Sequence, residues 1–205
     1  MVLKLKQSTE DVMVYGETGR FCLEYYAKKR MINFWSRILL GNDSKLSYSI
    51  YNICKQRYDN GIPTSEWLLN IVNLLNSYGI QDMPEDIESI KAVVKHVHIA
   101  LKHDFINQWE TQIMNSSMCS TLYKHIKTVF AREHHLTKLP YNLRMAVSRL
   151  RTSNHKLPIE SGRYSRNYVP REDRVCTKCD SGQLGDEYHF ILTCTNPELL
   201  ILRER

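Results

Sequence analysis

Four residues near the end of this 205-residue chain restrict what it can fold into more than any other feature: Cys176, Cys179, His189 and Cys194, spaced C-x2-C-x9-H-x4-C. Three thiolates and one imidazole make a complete tetrahedral donor set for Zn2+. With all four positions supplied by protein there is no place for a reactive water, so the expected role is structural rather than hydrolytic. Asp186 or Glu187 is expected to orient the imidazole from behind. The competing reading is four unrelated buried side chains. The other cysteines, Cys22, Cys54 and Cys119, lack metal spacing and read as small apolar groups.

Upstream of that motif the sequence is helical in pattern. Glycine and proline are scarce, with 8 and 6 residues, which favours a helical chain over a sandwich. Apolar residues recur every three to four positions from Cys22 to Leu40, from Lys45 to Arg57 (Leu46, Ile50, Ile53 and Cys54 on one face) and from Thr64 or Ser65 to Tyr78. Asn42-Asp-Ser44 offers caps for the second of these. The longest helix is expected from Pro84 to about Asn115, with Glu85, Asp86 and Glu88 at its positive end. The first twenty residues, with β-prone Val12-Met-Val-Tyr, read as extended. Short helices are expected over Phe130–Leu136, from Pro140 to Ser153, over Asp186–Cys194 and from Pro197, and an ordered loop over Leu157–Pro170. The fold class is therefore mainly α: a helical bundle over residues 1–116, followed over 117–205 by a basic region with a small CCHC zinc knuckle.

The sequence also excludes chemistry. It holds no Gly-rich phosphate loop, no nucleophile elbow and no adjacent Asp-Asp pair for two-metal catalysis, so neither enzymatic activity nor a small-molecule substrate is expected. The histidines at 96, 98, 103, 134 and 135 lack a completing partner and read as surface or boundary residues. No apolar run reaches membrane-spanning length and the start is too polar for a signal peptide, so an intracellular, nuclear or cytoplasmic, reducing setting is expected.

Charge is concentrated beside the cysteines. Residues 138–178 hold ten Lys or Arg against three acids, a balance of +7 where the whole chain carries +6. Such a local excess suits a polyanion. Arg144, Arg149, Arg151, Arg163, Arg166, Arg171, Arg174 and Lys178 are candidate phosphate contacts, with Tyr164 as a stacking face for an unpaired base; Tyr168 offers a second face. RNA or DNA is the implied partner. In the alternative, these arginines pair with the acidic face of the long helix.

The runs Leu150–Tyr164, Pro170–Cys179 and Asp186–Cys194 resemble the region downstream of the polymerase in non-LTR retrotransposon reverse transcriptases. Val14–Leu23, continuing to Ile32-Asn-Phe-Trp35, is similar to the segment that follows the polymerase core there. The resemblance implies a zinc-binding, nucleic-acid-binding appendage of an enzyme that nicks DNA and copies its own RNA, with Cys176, Cys179, His189 and Cys194 as ligands. The polymerase and endonuclease parts are not in these 205 residues, and Thr195 stands where the family has proline. Two other expectations stand beside this one: a helical scaffold for protein partners with zinc as a staple, and a remnant of a mobile element.

Overall fold

The computed structural model describes residues 5–6, 9–41, 45–84, 86–116, 121–163 and 168–204. The chain is mainly helical: α1 (Asp11–Thr18), α2 (Leu23–Leu39), α3 (Leu46–Asp59), α4 (Glu66–Ser77), α5 (Ile87–Asn115), α6 (Thr121–Ile126), α7 (His135–Lys138), α8 (Tyr141–Arg151), α9 (Pro158–Ser161) and α10 (Pro197–Arg203). Among the described residues the only β pairing is an isolated bridge between Val175 and Leu184. The chain divides into two compact units, Phe21–Gln108, and Met1–Arg20 with Trp109–Arg205.

In the first unit, apolar stripes of α2, α4 and α5 build the core. Ile32, Trp35, Leu68, Ile71, Leu75 and Val97 are all but fully buried. The Ser65 hydroxyl accepts the Leu68 amide and starts α4, while Asp86 takes the Ser89 amide at 2.9 Å and starts α5. Pro84 therefore precedes the helix rather than opening it. Burial, and then a hydrogen bond to the Asp104 carboxylate, push the Tyr78 phenol up to about 12.

Three of the four residues on the face expected to bury α3 are exposed. Leu46, Ile50 and Ile53 are 74%, 51% and 59% exposed, whereas Tyr51 is buried and Tyr48 and Cys54 pack against the core. The two stripes differ by about a third of a turn, and the larger aromatic contacts win. The Asn42-Asp-Ser44 caps, Glu85 and Cys119 lie outside the described residues.

The second unit corrects two expectations. Residues 11–18 are helical, not extended. One helical face carries Val12, Met13 and Gly16 inward, and the partners lie far along the chain. Trp109 Nε1–H donates to the Val12 carbonyl at 2.9 Å, and the Tyr123 hydroxyl to the Met13 carbonyl at 3.1 Å. Gly16 admits both rings, since a Cβ there would lie 2.6 Å from the Tyr123 oxygen. Gly19, at φ 62°, ends the helix in the left-handed conformation.

The same contacts group α1 with residues 109–205. A break at 116/117 would separate α1 from Tyr123 and Arg151, with which it folds. Phe130 also lies outside any helix, because α7 begins only at His135.

Candidate metal centre

The metal motif is assembled from a tight hairpin and a distorted helical turn. In the hairpin, the Cys176 amide donates to the Gln183 carbonyl and the Gly185 amide to the Arg174 carbonyl, each at 2.8 Å. These bonds hold Cys176 and Cys179 on one turn, and Gly182 takes the positive φ of 66° needed to reverse the chain. The Lys178 amide points at Cys176 Sγ from 3.3 Å, and Cys179 Sγ lies 3.1 Å from the Ser181 hydroxyl.

His189 and Cys194 arrive from the second element. Residues His189–Thr193 form a π-helical turn in which the Cys194 amide donates to the His189 carbonyl at 2.7 Å. In an α-helix, residues five apart diverge by well over a quarter turn. The i→i+5 bond brings them back toward one side, and Cys194 then leaves in extended conformation. The spacing x4 is thus matched by a register rarer than the α-helix anticipated for Asp186–Cys194.

The four donor atoms converge. All lie within 4.8 Å of one another. Cys176 Sγ is 3.8 Å from Cys194 Sγ, and Cys179 Sγ is 3.3 Å from His189 Nε2. His189 and Cys194 are buried, while Cys176 and Cys179 are half-buried. Hydrogen bonds from the Ser181 hydroxyl and amide hold the Cys179 thiol down at about 5. Burial pushes Cys194 up. These side chains can hold a metal ion, and the donor set is chemically suited to one.

The residue that orients the imidazole is not one of the two acids expected. His189 Nδ1 donates to Gln183 Oε1 at 2.8 Å, with the Thr193 hydroxyl at 3.1 Å, which leaves Nε2 bare toward the sulfurs. Asp186 instead caps the turn, taking the His189 amide at 2.8 Å. Glu187 is buried and pairs with His155, whose Nε2 lies 2.8 Å away. The Leu157 amide donates to His155 Nδ1, so the Nε2 proton is the one given to Glu187. Nothing in the local sequence distinguishes Gln183 from its neighbours; only the hairpin places it.

The hairpin rests on α9. Gly185 lies against Pro158, where a Cβ would approach to 2.7 Å, and its carbonyl accepts the Ile159 amide. Arg174 is part of this base: buried, it donates through Nε to the Val169 carbonyl and through Nη1 to the Ile159 carbonyl, at 2.8 and 3.0 Å.

The candidate phosphate contacts therefore separate. Arg149, Arg171 and Lys178 are exposed. Arg144 reaches the Leu139 carbonyl and Arg163 lies 3.6 Å from buried Glu160. Arg151 and Arg174 are withdrawn into the fold, Arg151 between Glu17 and Glu133 and Arg174 beneath the hairpin. A guanidinium already bonded to buried acceptors is not on offer to a phosphate. Tyr164 and Arg166 lie outside the described residues.

Among the described residues no helix is long and apolar enough to cross a membrane. No protein-family model, curated protein or solved structure matches the chain.

Proposed function

We propose that this chain is a zinc-stabilised nucleic-acid-binding module, not catalytic by itself, akin to the region downstream of the polymerase in non-LTR retrotransposon reverse transcriptases. The observation that carries the reading is the convergence of three sulfurs and one nitrogen next to the basic segment 138–178. Zinc with bonds of about 2.3 Å to sulfur and 2.0 Å to nitrogen sets tetrahedral S···S and S···N spacings of about 3.8 and 3.5 Å. The 3.8 Å Cys176–Cys194 and 3.3 Å Cys179–His189 separations suit that ion.

Exposed cations flank the knuckle: Arg171 just before it and Lys178 within it. Tyr168 is 69% exposed and backed by the Arg174 guanidinium, 5.4 Å from the ring centroid. A ring supported from behind by a fixed cation presents its open face to an unpaired base.

Elemental analysis of the purified chain tests the metal. Titration of labelled single-stranded RNA, single-stranded DNA and duplex at two salt concentrations tests the partner. Affinity is expected to fall steeply with salt, because each neutralised phosphate releases counterions. Neutralising Arg149, Arg171 and Lys178 together is expected to abolish binding, and Tyr168→Ala to weaken single-strand binding selectively. Binding that is absent, or indifferent to salt, defeats the proposal.

The exposed Leu46, Ile50 and Ile53 on α3 favour a second reading, in which the chain is a scaffold for a protein partner and zinc only staples the tail. In that case the triple charge neutralisation leaves partner capture intact.

A further inference from the structure

Helix α10 supplies no metal ligand, yet both its ends are tied to the loops that do. At its start Asn196 takes the amides of Glu198 and Leu199 on Oδ1 and donates through Nδ2 to the Lys178 carbonyl at 3.1 Å. Lys178 lies between Cys176 and Cys179, and its own amide faces Cys176 Sγ. At the other end Arg203 grips three carbonyls at once: Nε reaches Ile191 at 2.7 Å, Nη1 reaches Cys194 at 2.7 Å and Nη2 reaches Phe190 at 3.0 Å.

Those carbonyls belong to the turn that delivers His189 and Cys194. The last carbonyls of any helix lack intrahelical partners. Three on one short turn are best met by a planar, five-donor guanidinium; an ammonium is a point charge that cannot span them. Packing does not explain why α10 sits there. None of its residues is buried, and Leu200, Ile201 and Leu202 face outward. Its described polar ties run to the ligand loops, one to each half of the donor set.

We infer that α10 is an outer brace of the metal centre, in which Asn196 and Arg203 are positioning residues. Asn196 fixes the hairpin half and Arg203 fixes the π-turn half, so the four donors are held together before the ion arrives and its escape is slowed afterwards. Metal affinity is thereby set by a segment outside the C-x2-C-x9-H-x4-C motif. This rests on the reading that the cluster holds zinc.

The test is Co2+ uptake by the full chain, followed by displacement with Zn2+ and by release to a colorimetric chelator, for the wild type, Arg203→Gln, Arg203→Lys and Asn196→Ala. Arg203→Gln is expected to weaken binding roughly 10- to 100-fold, the range for groups that orient metal ligands, and to speed release. Its Co2+ absorption spectrum should stay that of a tetrahedral three-sulfur site, since no ligand is lost. Arg203→Lys should recover part of the loss and Asn196→Ala should show a smaller one. Circular dichroism of the loaded proteins reports the fold; if Arg203→Gln loses helix, Arg203→Lys and Asn196→Ala decide. Affinities and release rates equal to wild type in the folded variants overturn the brace while leaving the zinc reading intact. A wild type that takes up neither ion removes both.

Discussion

Arg151, at the end of α8, holds Glu17, at the end of α1, in a two-pronged ion pair: Nε lies 3.0 and 3.1 Å from the two carboxylate oxygens, and Nη2 lies 3.0 Å from Oε1. Glu17 is wholly buried, and Arg151 also reaches Glu133 at 3.1 Å, which in turn pairs with buried Lys127. Two acids and two cations thus neutralise one another inside the second unit. Removing one member strands the others. Glu17→Ala is expected to destabilise this unit by about 3 kcal/mol, whereas replacing Glu17 and Arg151 together with apolar residues costs less than the two single changes added. Denaturant unfolding of the four proteins in the cycle measures the coupling.

The pH response of this network has a definite sign. Burial, then the charge of Arg151, hold His135 below its ordinary value near 6.5, so the folded chain prefers the neutral ring and stability is lost as pH falls through the window below 6.5. For Glu17 burial outweighs Arg151 and raises the carboxyl above 4.5. The folded chain there favours the proton, and stability is lost as pH rises above 4.5. Between 4.5 and 6.5 the two slopes oppose each other. Along a series of urea midpoints across that window, His135→Gln should tilt the curve toward greater stability at acid pH, and Glu17→Gln should tilt it the other way.

Cys176→Ser removes one of four donors. Metal retention should fall, and amide exchange should quicken from Arg171 onward, because metal binding and local folding are linked. Residues 21–108 have their own core of Trp35, Leu68, Ile71 and Val97 and should keep their protection. Simultaneous loss of protection in both units would contradict the two-unit division.

Two glycines with similar backbone angles separate conformational strain from crowding. Gly61 has φ 67° and open space where a Cβ would stand, so Gly61→Ala should cost only the left-handed penalty, about 1 kcal/mol. Gly19 has φ 62°, but its Cβ would lie 2.4 Å from the Arg132 amide nitrogen, a backbone atom that cannot swing aside. Gly19→Ala should cost at least about 2 kcal/mol. Equal losses in thermal unfolding would mean that the 131–133 segment yields freely.

What was legible in the sequence follows the range of the interactions involved. The metal ligands are named by their chemistry and by short spacings, and they converge. Helices α2, α4, α5, α8 and α10 could be read because capping residues and apolar periods act within a few positions. The rest depends on partners far away. Val12-Met-Val-Tyr has a local β preference that Trp109 and Tyr123 override. The burial of Tyr51 in place of Leu46, Ile50 and Ile53 is decided by neighbouring helices. Arg151 reads as a surface cation until Glu17 is brought beside it, and Gln183 is an ordinary polar residue until a hairpin turns it toward His189.

The joining of residues 1–20 with 109–205 has a consequence for the order of events at the ribosome. Phe21–Gln108 can collapse as soon as it emerges, since its core contacts all lie within it. Helix α1, although made before it, must wait, with Glu17 lacking its countercharge, until Arg151 has been translated. Helix α1 is therefore made before residues 21–108 but finds its place after them.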